Sequence, residues 1–524
     1  MRTAQEIHDR RWWTLSVLCL SLVLVIVGNT ALNVALPTLV REIGATNTEL
    51  QWMVDAYALV FAGMLFTCGA LGDRFGRKGA LNVGLLIFGA ASVFAAMSDT
   101  ATGIVVARAV MGLGAALIMP ATLSILTNVF PPHERARAIG IWAGLSGAGA
   151  AMGPLASGWL LEHFWWGSVF LVNMPVVLLA MGAGRVLVPT SRDPAQPPLD
   201  PIGAGLSILG LTSLVYGIIE APNEGWLSAP TIAAFAVAAV ILGYFATWEL
   251  HSTHPMLDLG FFRNRSYTTG SVAITLVFFA LFGSFFLMTQ YLQLVLGYTP
   301  LQAAVRMLVV PPVLMVVAPN SARIVERFGT RRVVASGLVC VSLALAFLST
   351  LDVGTSYLRL AAGLIVLGFG MGLSMPPSTA AIMSAVPLGK AGVGSAMNDT
   401  TRELGGALGV AVLGSLLASR YSAAVAGVSS LLPPQARAVV AKSVGGALSI
   451  AGQLGPPGEI IARAARAAYV DSMSTAFIVG AVVAVVAAAY VARFMPERTI
   501  VNVPHDLRVA TNTLVAAKAE ALEP

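Results

Sequence analysis

Residues 398–403 read NDTTRE and place Asp399, Arg402 and Glu403 at the start of an apolar stretch that continues as LGGALGVAVLGSLLA. On a helix, residues four apart share a face, so Asp399 and Glu403 stand one above the other, with Arg402 at a neighbouring angle. Inside a bilayer each such charge costs several kcal/mol unless it is paired or faces an aqueous cavity. A carboxylate beside arginine stays ionised while a second, desolvated one is able to carry a proton, so the trio suits a proton carrier that also attracts a cation. The alternative is a solvated cluster at a helix end, which Asn398, Thr400 and Thr401 would soften. Two further ionisable residues raise the same question. Asp55, with Trp52 and Tyr57 nearby, lies one turn inside another apolar stretch, as a substrate or proton contact or as an interfacial cap. Arg108 lies a little deeper in a third, and either faces the protein interior with an acidic or carbonyl partner or snorkels to the interface.

The elements that position these residues follow from composition. The chain has 524 residues, 57% hydrophobic and 11% charged, with a mean hydropathy of +0.80. Soluble domains carry about 25% charged residues, so this is an all-α polytopic membrane protein. The net charge of +6 does not point to a nucleic-acid partner, because the basic residues sit in short loops between apolar runs. Cys19, Cys68 and Cys340 are far apart within apolar stretches, with neither metal-ligand nor disulfide spacing. No metal-ligand cluster, nucleophile elbow or phosphate loop is present, and His251 with His254 is too sparse for a metal site, so an enzyme is not expected.

A window of about 20 residues finds fourteen spans: 13–36, 50–71, 80–98, 102–128, 137–161, 168–189, 202–221, 229–250, 269–291, 301–322, 333–350, 356–384, 392–419 and 471–495. Short loops that alternate in the count carry Arg2, Arg10 and Arg11, then Arg74, Arg77 and Lys78, then Arg135 and Arg137, Arg185 and Arg192, Arg263 and Arg265, the 323–332 arginines and Lys390. The positive-inside rule then places both termini in the cytoplasm. The long outer loop, 420–470, reads as a pair of interfacial amphipathic helices or as a solvated loop.

A weak repeat organises the spans. GALGDRFGRKGAL (69–81) and SARIVERFGTRRVV (321–334) both run from an acidic to a basic residue, then Phe-Gly and more basic residues. Such a parallel repeat implies two six-helix halves with the pair 201–250 inserted between them. The expected organisation is a cytoplasmic N-terminus (1–12), a first half (13–189), a linker with two extra helices (190–268), a second half (269–495) and a cytoplasmic tail (496–524). In the first of these loops Gly72 and Gly76 permit a tight turn, Asp73 can accept from the N-terminus of a neighbouring helix, and Arg74 and Arg77 face the inner surface. In the fifth span Gly149 and Gly153 have the small-xxx-small spacing of closely packed helices, and Pro154 removes a backbone hydrogen bond and bends the helix.

These stretches, with TALNVALP (30–37), QWMVDAYALV (51–60), ARAVMGLGAALIMP (107–120), GAGAAMGPLASGWL (147–160) and NDTTRELGGALGVAVLG (398–414), resemble motifs of the major facilitator superfamily. In order and spacing the whole set resembles its fourteen-helix drug:proton antiporters of the QacA, SmvA and LfrA type. The resemblance implies a major facilitator fold of fourteen transmembrane helices. It gives the loop of Gly72, Asp73, Arg74, Gly76 and Arg77 a gating role, and it identifies Gly149, Gly153, Pro154 and Gly158 as the antiporter motif. Asp55, Arg108, Asp399, Arg402 and Glu403 become candidates for proton coupling or substrate binding. One departure stands out, because the family's first-helix aspartate is replaced by Gly28, leaving Asn29 and Asn33 to supply neutral hydrogen bonding. Exporters of this type line their cavities with aromatic and Met side chains, a role that Tyr57, Phe282, Phe286, Met288 and Gln290 fit, although such runs also face lipid or pack between helices. The implied activity is proton-driven efflux of apolar, cationic compounds by a monomer of the cell membrane with no cofactor beyond protons. A dedicated exporter or flippase of an endogenous lipid or metabolite would share every motif.

Overall fold

The computed structural model describes residues 9–191, 200–253, 255, 257, 259–386, 391–430 and 432–497. Arg2, Arg192, His254, Lys390 and the tail from residue 498 lie outside these, as do the side chains of Arg135 and Arg137. Every regular element among the described residues is helical, the form in which a lipid-embedded chain satisfies its backbone groups within one segment. The long helices are α1 (Arg11–Ile43), α2 (Asn47–Phe75), α3 (Arg77–Ala96), α4 (Ala101–Val129), α5 (Pro132–His163), α6 (Ser168–Leu187) and α7 (Pro201–Glu224). They continue with α8 (Ala229–His251), α9 (Arg265–Val295), α10 (Pro300–Phe328), α11 (Thr330–Leu348), α12 (Tyr357–Ala385), α13 (Ala391–Ser429) and α14 (Gly458–Phe494). Thirteen helices are long and apolar enough to cross a membrane among the described residues, and α5, 32 residues long, occupies the place of the fifth span read from hydropathy.

Local chemistry sets the ends. Thr46 and Glu49 form a capping box on α2, Thr299 and Gln302 form one on α10, and the Asp200 carboxylate accepts from the Gly203 amide at the start of α7. Gly44, in the left-handed region at φ 68°, stops α1.

Helices α1–α6 pack into one bundle and α9–α14 into a second, while α7 and α8 pair with each other. The two bundles repeat the same joints. Gly76 (φ 125°) turns α2 into α3, and Gly329 (φ 84°) turns α10 into α11. Eight residues after each turn stands a glycine that meets a glycine of the following helix. A Cβ on Gly84 would lie 2.8 Å from the Gly114 carbonyl, and one on Gly337 2.8 Å from that of Gly370. The Gly72 carbonyl accepts from the Gly76 amide at the turn. Gly72 is buried within α2, where a Cβ would touch Ala80 at 3.2 Å, so its role is close packing of α2 on α3.

The stretch read as an outer loop departs most from expectation. Helix α13 runs on to Ser429 and α14 begins at Gly458, so GEIIARAARAAYV forms the first turns of a spanning helix. Between them lie short helices at Pro434–Lys442 and Val444–Gln453, the second capped by Ser443. That second helix rests on α14 and on Val40 of α1, so it caps the bundle rather than lying free in an interface.

Candidate functional site

The site is built on four helices, α1, α2, α4 and α13. Arg108 of α4 is fully buried. Its Nε donates to the Met53 carbonyl at 2.9 Å and its Nη1 to the Gly28 carbonyl at 2.8 Å, and the guanidinium lies 4.3 Å from the centre of the Tyr57 ring. Charge-assisted hydrogen bonds and a desolvated cation–π contact stabilise what would otherwise be an isolated buried charge. The carbonyl partner, not snorkelling, is what the structure shows. Two glycines make the arrangement possible. Gly112, one turn after Arg108, brings α4 so close to α2 that a Cβ would lie 2.5 Å from the Tyr57 carbonyl oxygen. Gly28 leaves no room for a side chain, since a Cβ there would stand 2.6 Å from Phe88 Cζ. At the position of the family's acid, this chain offers a backbone acceptor to Arg108 instead.

The carboxylates come from α13, whose rotation is fixed by glycines packed on α9. Gly405 meets the Thr275 carbonyl, Gly409 meets that of Phe279, and Gly406 receives the Phe282 ring at 3.2 Å. On this backbone Arg402 lies 3.6 Å from Asp399 and 5.5 Å from the centre of the Phe278 ring, which in turn stacks on Phe282. With the Asn398 amide oriented to satisfy both sides, its nitrogen donates to Thr379 Oγ1 at 3.1 Å and its oxygen accepts from Arg402 Nη2 at 3.2 Å. Arginine is thus held by Asp399, Asn398 and an aromatic face. Among the described residues Glu403 has no such direct partner; it stands one turn beyond Asp399 and next to Arg402 on α13. Asp399, Arg402 and Glu403 are half-buried, with the Asp399 side chain 19% and the Arg402 side chain 32% exposed. The arrangement is a carboxylate pair and an arginine on consecutive turns of α13, with a second arginine fixed by backbone carbonyls inside the other bundle.

Asp55 stands apart. It is fully buried on α2, and neither carboxylate oxygen has a hydrogen-bond partner among the described residues. Among the other residues named from sequence, Phe282 keeps partial exposure, Asn29 is half-buried and Asn33 is buried with Oδ1 unpartnered. Phe286 and Met288 are packed in the core and Gln290 is bonded back to the Phe286 carbonyl, so these three lie within helix packing. Asp73 pairs with Arg77 at 2.6 Å, and Arg74 is exposed over Phe75. Gly149 and Gly153 face α1, near Ile26 and Thr30 respectively, and Pro154 lies inside α5.

Gly158 does more than pack within one bundle, since a Cβ there would meet Leu301 Cα at 2.7 Å. It joins contacts that sequence reading missed, all at the bundle end opposite the described termini. Ser415 Oγ donates to Gln51 Oε1 at 3.2 Å, and Gln293 Nε2 donates to the Val34 carbonyl at 2.9 Å. Glutamines within apolar runs were the available signal, because a buried amide in a membrane helix needs a partner from another helix.

The Major Facilitator Superfamily profile matches residues 18–410. The chain belongs to the major facilitator superfamily. It is 36% identical to the multidrug efflux pump LfrA of Mycolicibacterium smegmatis, over 92% of this chain and 96% of that protein. It is 38% identical to the methyl viologen resistance protein SmvA of Salmonella typhimurium, over 89% and 94%. With the tetracenomycin C resistance and export protein of Streptomyces glaucescens the identity is 33%, over 93% and 92%. Among solved structures the fold is similar to that of a bacterial homologue of the lysosomal transporter Spinster in an inward-facing conformation, with a TM-score of 0.66 at 18% identity over 93% and 98% of the two chains. This superfamily consists of transporters, which places the chain outside the enzymes and within multi-pass membrane proteins.

Proposed function

We propose that the protein is a proton-coupled efflux antiporter that exports apolar, cationic compounds by alternating access. The observation that carries this reading is the constellation of Asp399, Arg402 and Glu403 on α13, a half-buried carboxylate pair with arginine beside one member inside a membrane-spanning helix. A carboxylate whose direct partners are missing exchanges a proton for a cation, while the Asp399–Arg402 pair and the Phe278–Phe282 ledge offer polar and aromatic contact to a bulky ligand. The three relatives are named for drug efflux or resistance, which supports drug efflux as the role. We take the end that carries the termini as cytoplasmic, on the distribution of arginines in the loops. The interbundle contacts of Gln51, Gln293 and Gly158 then join the two bundles on the outer side. Two six-helix halves rocking about the site, with the helix pair 201–250 between them, would complete transport in a monomer.

The test is uptake of ethidium by inverted vesicles under an imposed proton gradient, comparing the parent with Asp399→Asn and Glu403→Gln. The reading predicts gradient-dependent uptake by the parent that stops with Glu403→Gln. Folded parent protein that moves no dye would refute it and favour a dedicated lipid or metabolite exporter.

A further inference from the structure

Helix α7 belongs to neither bundle, yet it packs on α2 of one and α13 of the other. Ala58 and Leu59, Val215 and Ile219, and Ala407 and Ala411 form an apolar layer where the three helices meet. Next to Ile219 stands Glu220, half-buried near the α7 end that lies opposite the chain termini. Its Oε1 accepts from Trp52 Nε1 at 3.2 Å, and its Oε2 accepts from Asn223 Nδ2 at 3.4 Å. Asn223 also donates to Thr48 Oγ1 at 3.0 Å, and the Trp52 ring packs against Tyr216 with centroids 6.2 Å apart. Glu220 has no ion pair among the described residues.

An anchor between α7 and α2 needs only an acceptor for the indole N–H, which a glutamine provides without the cost of a charge in a membrane protein. The carboxylate therefore calls for another purpose, and α2 supplies one. Trp52 and Asp55 are three residues apart and share a face of α2. Among the described residues, fully buried Asp55 has both oxygens unpartnered, and Nε2 of the buried Gln51 is unpartnered as well. The other ionisable groups that the packed helices carry toward this end are Arg108 of α4, held by the Met53 and Gly28 carbonyls, Glu49 of α2, held in its capping box, exposed Arg420 of α13, and Glu224 of α7 itself. Helix α8 brings none there, as its Glu249 and His251 lie at the opposite end.

We propose that Glu220 is the outer proton acceptor of the exchange cycle and loads Asp55, an inference that rests on the proton-coupled reading above. An O–H bond forms on Glu220 from external hydronium. It breaks as an O–H forms on Asp55, which returns Glu220 to the carboxylate. In the state described here the Gln51–Ser415 contact and the apolar layer close the seam, and rocking of the bundles admits water between the two acids.

The test is ethidium efflux by full-length protein as a function of external pH, for the parent, Glu220→Gln, Glu220→Asp and Trp52→Phe. Glu220→Gln is expected to need about tenfold more external protons for half-maximal efflux, with the KM for ethidium unchanged. Glu220→Asp and Trp52→Phe retain a carboxylate and are expected to keep the parental profile even where the rate falls. A Glu220→Gln profile that coincides with the parent's overturns the proposal, and so does an equal shift in Trp52→Phe, which would mark a structural anchor. A parent whose efflux ignores the proton gradient overturns the coupling reading itself.

Discussion

Replacing Gly28 tests how the site manages without the family's first-helix acid. A Cβ at Gly28 would lie 2.6 Å from Phe88 Cζ and 3.3 Å from Cε1, where ordinary contact begins at 3.4 Å. Phe88 is fully buried and cannot simply retreat, because its backbone nitrogen and Cβ lie 2.9 and 3.0 Å from where a Cβ on Gly114 would stand. Overpacking of this kind costs about 1–3 kcal/mol. It would also shift the carbonyl that accepts from Arg108 at 2.8 Å. Gly28→Ala is therefore expected to lower the thermal stability of the purified protein and to slow transport. Phe88→Leu in the same chain should recover part of both, with a favourable coupling of about 1–2 kcal/mol. In that relieved background, Gly28→Asp would set a carboxylate beside Arg108 and raise the response to divalent cations such as methyl viologen. The measurements are thermal unfolding in detergent and vesicle transport for the single and double variants. Gly28→Ala as stable as the parent, or a Phe88→Leu background that gives no relief, would refute the steric argument.

Two further predictions concern the same helices. Arg108→Lys keeps the charge but cannot reach the Met53 and Gly28 carbonyls together. With each charge-assisted bond contributing about 1.5–3 kcal/mol, transport should fall at least tenfold while the protein still reaches the membrane, and near-parental transport would contradict the assigned role. Gly158→Val should push against the Leu301 backbone and wedge the bundles apart at that end, which cysteine accessibility on the outer face would register as increased labelling, whereas unchanged labelling would exclude Gly158 as a closing contact.

Much of the fold is legible in the sequence because lipid imposes a simple rule. Long apolar runs became helices, and the two Phe-Gly loops marked equivalent turns at Gly76 and Gly329. The paired glycines Gly84–Gly114 and Gly337–Gly370 were equally available eight residues beyond those turns. The ends of α13 and α14 were not, since hydropathy reports the apolar core of a span and says nothing of turns that continue beyond it. The pairing of Arg402 with Asp399 followed from helical spacing. The partners of Arg108 did not, because they are backbone carbonyls of two other helices, and a carbonyl leaves no signature in residue type. The burial of Phe286 and Met288 was hidden for a related reason. An aromatic-rich helix presents similar residues to cavity, lipid and neighbour, and the packing of α9 on its neighbours, glycines of α13 among them, decides which face turns inward.

The central claim is that one acidic site exchanges protons for cationic substrate. Its most direct test is proton release when ethidium is added to the purified protein in weakly buffered detergent, read with a pH-sensitive dye. The account predicts release by the parent and none by Glu403→Gln, with binding of ethidium weakened but measurable. Binding without proton release in the parent, or release undiminished in Glu403→Gln, would contradict it.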